Sequence, residues 1–271
     1  MLLLKVGGGG GINLAGVAED LAAQATRVIV VHGANAARDE LARALGREKR
    51  TITSASGYAS VYSDESAIDL LMMAYAGVRN KRLVELLQRR GVNALGLCGL
   101  DGRVIVGTRN RGFRVREGER ITVVRDFSGK PSAVNRALLD ALLDRGYTPV
   151  LTVPICDEDG FAINAENDDV VAVLHDAFHA RVVVELIEAP GLLRDAGDPA
   201  SVVAQLAAEE LPAWEERATG RMKRKLHSLR KLFQVSPPTV ILADGRREHP
   251  VRDALAGHGT VIASGHARAP A

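Results

Sequence analysis

Six short runs rich in Val, Ile and Leu, spaced by longer stretches of helical periodicity, constrain this chain more than any other feature. The runs are Leu2–Val6, Arg27–Val31, Val92–Leu97, Tyr147–Val153, Arg181–Ile187 and Thr239–Ala243. Strands this continuously apolar belong in a largely parallel sheet covered on both faces. The intervening stretches supply the cover. In Lys81–Arg90 the residues Leu83, Val84, Leu86 and Leu87 share one face, and Val134–Arg145 does the same around Leu138 and Leu142, with Gly146 as its stop. The expected fold is α/β, an αβα sandwich with a central mainly parallel sheet. One segment departs from the pattern. Phe113–Val124 alternates around Glu117-Gly118-Glu119 and reads as an added β-hairpin.

Composition narrows the function classes. Hydrophobic residues at 46% and charged residues at 25% fit a globular chain and exclude disorder. A formal net charge of +2 and only 4% aromatic residues disfavour a nucleic-acid partner, and any basic docking surface must be local. The two cysteines, Cys98 and Cys156, sit in apolar stretches, which argues against a disulfide framework or a metal cluster and fits a reducing, cytoplasmic setting. Leu2–Leu4 is too short for a signal-peptide core, and no run reaches the roughly 18 apolar residues of a membrane span. The tail Ser264–Ala271 reads as frayed.

Four local patterns could carry chemistry, each with a plain structural alternative. Lys5-Val6-Gly7-Gly8 ends a strand in a lysine and then a glycine run, which lets backbone N–H groups approach a phosphate or forms only a flexible turn. The lysine precedes the glycines and no Gly-Lys-Ser/Thr follows, so this is not a P-loop. Val31-His32-Gly33-Ala34-Asn35 is a second strand-to-turn junction, read alone as an ordinary connection. Asn164-Ala165-Glu166-Asn167-Asp168-Asp169 precedes an apolar helix and either caps it or offers a carboxylate to a lysine or a magnesium ion. Gly220-Arg221-Met222-Lys223-Arg224-Lys225 is a solvated face or the positive charge that phosphoryl transfer requires.

The order of these patterns is more specific than any one of them. With Asn80-Lys81-Arg82-Leu83-Val84-Glu85-Leu86-Leu87, Gly99-Leu100-Asp101-Gly102-Arg103, Gly146-Tyr147-Thr148-Pro149-Val150-Leu151, Pro190-Gly191-Leu192-Leu193 and Ala243-Asp244-Gly245-Arg246, they make the chain resemble the amino acid kinase family from Leu2 to about Ile262. Within it the resemblance is to the acetylglutamate kinase branch, and most of all to kinases of lysine biosynthesis acting on aminoadipate or glutamate tethered to an acidic amino-group carrier protein. It implies the amino acid kinase fold over residues 1–271, with about 1–155 binding substrate and pairing subunits and about 156–271 binding nucleotide. It also implies a homodimer, and ATP and Mg²⁺ as cofactors with no metal site in the protein itself.

By position in the family's motifs, Lys5 and Lys225 flank the transferred phosphoryl group and Asp168 holds both lysines. Gly7, Gly8, Gly33 and Ala34 form the phosphate-binding turns, Asn164 lines the substrate side, and Glu188, Gly191, Leu192 and Met222 fall in the nucleotide region. The implied reaction is in-line attack of an acidic amino acid's side-chain carboxylate on the γ-phosphorus, giving an acyl phosphate. Three departures bear on recognition, one of them Glu188 with Ile187 before it, where relatives carry Asn or Asp after a hydroxyl residue in the nucleotide loop. Ala34 replaces a glycine, which is expected to narrow the approach to the phosphate, and Val61 stands where relatives carry a substrate-gripping arginine. Arg109, Arg111, Arg114, Arg116 and Arg120 crowd the hairpin region, either as a solvated ribbon or as a dock for the carrier, with Arg79, Lys81 and Arg82 as a possible extension. Alternatives are a kinase for free N-acetylglutamate in arginine biosynthesis and a non-catalytic nucleotide- or amino-acid-binding paralogue. No Gly-x-Gly-x-x-Gly with an acidic residue about 20 positions on supports a dinucleotide enzyme.

Overall fold

The computed structural model describes residues 1–47, 50–53, 59–117 and 120–265. The chain begins β1 (Leu2–Val6), α1 (Leu14–Ala22), β2 (Val28–His32), α2 (Asn35–Ala44), β3 (Thr51–Thr53), β4 (Ala59–Val61) and α3 (Glu65–Leu71). A π-helical stretch, Met72–Arg79, runs into α4 (Asn80–Gln88), followed by β5 (Ala94–Cys98), β6 (Ile105–Arg109), β7 (Phe113–Glu117), β8 (Arg120–Val124) and β9 (Gly129–Val134). Next come α5 (Arg136–Asp144), β10 (Thr148–Thr152), β11 (Ile155–Cys156), β12 (Ala162–Ile163), α6 (Asn167–Phe178), β13 (Val182–Ile187) and β14 (Gln205–Ala207). The last elements are α7 (Leu211–Arg217), α8 (Gly220–Val235), β15 (Thr239–Asp244), α9 (Pro250–Leu255) and β16 (Thr260–Ala263).

All six apolar runs lie in one eight-stranded sheet, in the order β14-β16-β15-β13-β1-β2-β10-β5. Pairing is parallel from β15 across to β5, and β16 turns antiparallel to β15. Strand alternation divides the core into two layers. Leu2, Leu4 and Val6 of β1 pack with Val30, Val184 and Leu186 in one layer, whereas Leu3 packs with Val31 and Val183 in the other. The second layer is closed by Val170, Val171 and Leu174 of α6 and by Leu226, Leu229 and Leu232 of α8. Lys5 follows Leu3 on that side, at the carboxyl-terminal end of the strand.

Local chemistry fixes the helix starts. Asn13, Asp64 and Asn135 each accept from a backbone N–H three residues on, at 3.0, 2.9 and 3.1 Å. The helix expected from Val134 therefore starts at Arg136, because Val134 is still paired with Ile105 at the end of β9. The hairpin around Glu117 forms as β7 and β8, with Glu117 opposite Arg120, while its turn, residues 118–119, lies outside the described residues. So does most of the tail that reads as frayed, residues 266–271. A second sheet, ordered β12-β11-β6-β9, has no counterpart among the sequence expectations, since its strands are short and mix polar with apolar residues. No helix among the described residues is long and apolar enough to cross a membrane.

Candidate active site

Four charged side chains converge where β1, β13, α6 and α8 meet. Lys5 and Glu185 are direct neighbours in the β1–β13 ladder and sit on the same face of the sheet. Asp168 comes from the first turn of α6 and Lys225 from the amino-terminal half of α8. Asp168 Oδ1 accepts from both ammonium groups, in a short contact from Lys5 Nζ and at 3.1 Å from Lys225 Nζ. Glu185 Oε2 accepts from Lys225 Nζ at 2.5 Å and lies 3.9 Å from Lys5 Nζ. The result is an alternating quartet of two cations and two anions.

The quartet is nearly enclosed. Side-chain exposure is 11% for each lysine, 18% for Asp168 and 2% for Glu185. Burial by itself would raise the Asp168 carboxyl, but the ammonium groups of Lys225 and then Lys5 outweigh it and hold the group well below the usual carboxylate range. Burial would likewise lower Lys225, and Asp168 and Glu185 outweigh it, so the ammonium stays protonated far above neutral pH. Two ammonium donors fixed by two carboxylates can receive a dense anion by exchanging one contact for another.

Neighbouring acids are turned elsewhere. Asp169 accepts from Lys231 Nζ at 2.6 Å and Ser228 Oγ at 3.3 Å, tying α6 to α8. Glu166 points outward, 67% exposed, with Arg224 at 3.6 Å. Of the three carboxylates in this turn, only Asp168 faces the lysines. Sequence reasoning missed Glu185, and the signal for it was a lone carboxylate within the aliphatic run Val182–Ile187.

The two glycine turns pack backbone to backbone beside the quartet. A Cβ on Gly8 would fall 2.7 Å from the amide nitrogens of Ala34 and Asn35, and one on Gly33 would fall 2.9 Å from Gly8 N. Only glycine permits this approach. Gly7 N–H and Gly33 N–H are spent on the sheet, donating to Leu186 O and Val6 O, each at 2.9 Å. Among the described residues no hydrogen bond uses the N–H of Gly8, whereas Ala34 N–H is directed at the Tyr75 hydroxyl, so the available donors are narrower than the four residues expected. Ala34 is fully buried and belongs to the core.

Residues expected near a nucleotide divide. Glu188 reaches back to the glycine run, where Oε1 accepts from Gly11 N–H at 2.7 Å, and a Cβ on Gly9 would collide with its carboxylate. Leu192 is core rather than surface: its side chain is buried and its N–H donates to Thr260 Oγ1 at 2.8 Å. Gly191 has φ of +155° and backs onto Thr260, and Met222 is partly buried against the core.

Asn164 lies just before α6, and its Nδ2 donates to Ser63 Oγ at 3.1 Å. Val61 ends β4, paired in the backbone with Thr51. Arg109 is held, its Nε donating to Asp126 O at 2.9 Å and its guanidinium lying 3.9 Å from the Phe127 ring centre. Arg111 is exposed, and the backbones of Arg114, Arg116 and Arg120 lie in the β7–β8 ribbon. Arg79 Nε and Nη2 are buried without hydrogen-bond partners among the described residues, Lys81 donates to Gly96 O at 3.0 Å, and Arg82 pairs with Glu85 at 2.8 Å.

Beneath the turns, His32 is buried between two fixed partners that the sequence did not reveal. Its Nδ1 faces Gly33 O at 3.3 Å, and Asn80 Nδ2 donates to Nε2 at 3.0 Å. Burial above all, with smaller pushes from Arg79 and Lys81, lowers the imidazole to about 3 despite the bond to Gly33. The ring is neutral and structural.

Comparison with known proteins follows the same outline. The profile of the amino acid kinase family matches residues 2–243. A LysW-aminoadipate kinase of Thermus thermophilus is 41% identical, covering 97% of this chain and 100% of its own. An acetylglutamate kinase of Methanopyrus kandleri is 30% identical, covering 97% and 100%. Among solved structures, N-acetylglutamate synthase from Neisseria gonorrhoeae, complexed with coenzyme A and N-acetyl-glutamate, superposes with a TM-score of 0.78 at 22% identity. That match spans 97% of this chain and 59% of the synthase.

Proposed function

We propose, from the premise that this chain belongs to the amino acid kinase family, that it transfers the γ-phosphoryl group of ATP to the side-chain carboxylate of an acidic amino acid, glutamate or aminoadipate, held on a small acidic amino-group carrier protein. One observation carries the chemistry: two ammonium groups from separate elements, Lys5 and Lys225, meet on a single carboxylate oxygen of Asp168.

In this reading the lysines flank the moving phosphoryl group and offset the charge that spreads over its equatorial oxygens. Asp168 and Glu185 hold them in position. The N–H of Gly8 stands beside them as an uncharged donor. The acceptor carboxylate is ionised at neutral pH, so no general base is required. Its oxygen forms a bond to the γ-phosphorus as the bond to the β,γ-bridging oxygen breaks, leaving ADP and an acyl phosphate. Among the described residues no group of three or more His, Cys, Asp or Glu side chains is arranged to hold a metal, so magnesium would arrive bound to the nucleotide phosphates.

The acceptor would enter between Asn164 and the amino-terminal half, and the nucleotide from the side of Glu188 and Gly191 in the carboxyl-terminal half. The arginine-bearing β7–β8 ribbon, with Arg109 and Arg111 at its base, supplies local positive charge for an acidic carrier. Met72, Met73 and Val78, at 36%, 38% and 55% exposure on the π-helical stretch, form an apolar strip suited to subunit pairing, and we place the resulting homodimer in the cytoplasm.

The test is ATP turnover with hydroxylamine trapping, comparing free N-acetylglutamate, free N-acetylaminoadipate and the carrier-bound amino acids. Hydroxamate from carrier-bound substrate, reduced at least about 10²-fold in Lys225→Ala, is the expected outcome. Equal turnover of free N-acetylglutamate would remove the carrier and leave the acetylglutamate reaction, which the 30% identical relative favours.

A further inference from the structure

Arg79 is a buried cation outside the lysine quartet. It ends the π-helical stretch, and its Nε and Nη2 are closed off from solvent without a hydrogen-bond partner among the described residues. Its neighbours are well anchored. Tyr75 donates to Asn35 Oδ1 at 2.6 Å, and Asn80 donates from Nδ2 to His32 Nε2 and to Val150 O, both at 3.0 Å. The backbone at Arg79 is therefore fixed beside the second glycine turn, and its guanidinium is left over. Burying such donors unpaired is costly, and a group kept in that condition calls for a partner supplied in another state of the protein.

The acid that acts on this guanidinium is Glu188. Burial pushes Arg79 below its ordinary value, and the Glu188 charge opposes that push. Both residues border the first glycine turn. Val6 pairs with His32 on one side and with Leu186 on the other, so the His32–Asn80 contact and the end of β13 flank the run that starts at Gly7. In this structure Glu188 is engaged with that run. Its Oε1 accepts from Gly11 N–H at 2.7 Å, and a Cβ on Gly11 would fall 2.9 Å from the same oxygen. Arg246, the other cation beside Gly11, is already paired, its Nε and Nη2 each donating to Asp244 at 2.7 Å. An anion from outside cannot reach Nε and Nη2 of Arg79 without displacing protein, whereas Glu188 needs only to leave Gly11.

We propose that Arg79 is a positioning residue for the nucleotide: when the γ-phosphoryl group takes over the Gly11 N–H, Glu188 leaves the glycine run and pairs with Arg79. The inference rests on the reading that the carboxyl-terminal half takes ATP. The exchange moves one negative charge away from the phosphates and gives the guanidinium its partner in the same step. Without Arg79 the displaced carboxylate would stay beside the phosphates and repel them.

Calorimetric titration of the full chain with AMP-PNP and Mg²⁺ tests the exchange, with ADP and Mg²⁺ as the probe that lacks the γ-phosphate. Arg79→Met is expected to weaken AMP-PNP about 10-fold and ADP by less than about 3-fold. In a Glu188→Gln background, where no carboxylate needs receiving, Arg79→Met should change AMP-PNP affinity by less than about 2-fold. Melting of the nucleotide-free protein separates this role from a structural one, because removing an unpaired buried cation should leave Tm at or above the wild-type value. Unchanged AMP-PNP affinity in Arg79→Met overturns the exchange, as does a loss that ADP shares equally, a loss that persists in Glu188→Gln, or a lowered nucleotide-free Tm. A wild-type protein that binds neither probe would instead remove the ATP reading, and the exchange with it.

Discussion

Replacing Glu185 by glutamine tests whether the lysines are held as a quartet or by Asp168 alone. The side chain is almost wholly buried, with Oε2 2.5 Å from Lys225 Nζ and 3.9 Å from Lys5 Nζ. At an effective dielectric of about 20, unit charges about 4 Å apart interact by about 4 kcal/mol. Two attractions of that order disappear in Glu185→Gln. A repulsion of similar size from Asp168 disappears as well, and the amide oxygen restores about 1 kcal/mol of hydrogen bonding. The net expectation is a loss of about 3 kcal/mol, at the lower edge of the range of about 3–5 kcal/mol for breaking a buried pair. For a chain of this size that corresponds to a Tm lowered by about 6–12 °C. Urea titration at pH 7 would measure it, with Lys225→Met and the double variant closing a cycle whose coupling should exceed about 1 kcal/mol. Hydroxamate turnover should fall by about 10²-fold, because a freed Lys225 no longer keeps its position. A Glu185→Gln variant within about 0.5 kcal/mol of wild type, or an additive cycle, would refute the quartet.

Two further outcomes follow from neighbouring geometry. Since His32 is lowered from 6.5 to about 3, its neutral form contributes stability that is fully present above pH 6.5 and is lost as pH falls toward the folded value. Between pH 6.5 and 5 the cost is about 2 kcal/mol, and the shift in urea midpoint over that interval should flatten in His32→Gln. Asp169→Asn, whose carboxylate accepts from Lys231 and Ser228 among the described residues, should cost about 1 kcal/mol in a melt and leave kcat within about 3-fold. Asp168→Asn, one residue away, should lower kcat by about 10² or more; comparable kcat losses in the two variants would show that the turn is read in the wrong register.

The sequence by itself determined the strands of the main sheet and its parallel sense, because aliphatic runs covered on both faces leave few other solutions. It also determined that Lys5 ends a strand at a glycine turn and that Phe113–Val124 is a hairpin, since both depend on residues adjacent in the chain. The tertiary structure decided which turn N–H groups stay available: Gly7 and Gly33 give theirs to Leu186 and Val6, strand neighbours far along the chain. It decided that Ala34 belongs to the core and that Leu192 is buried beside Thr260. It also chose among Glu166, Asp168 and Asp169, because only the packing of α6 against α8 and β1 orients three adjacent carboxylates to three different partners. Glu185 shows the limit most clearly. Its place in an aliphatic strand marks it as unusual, but the reason a carboxylate is tolerated there is two lysines contributed from positions 180 residues upstream and 40 residues downstream, 185 − 5 and 225 − 185, brought together only by folding.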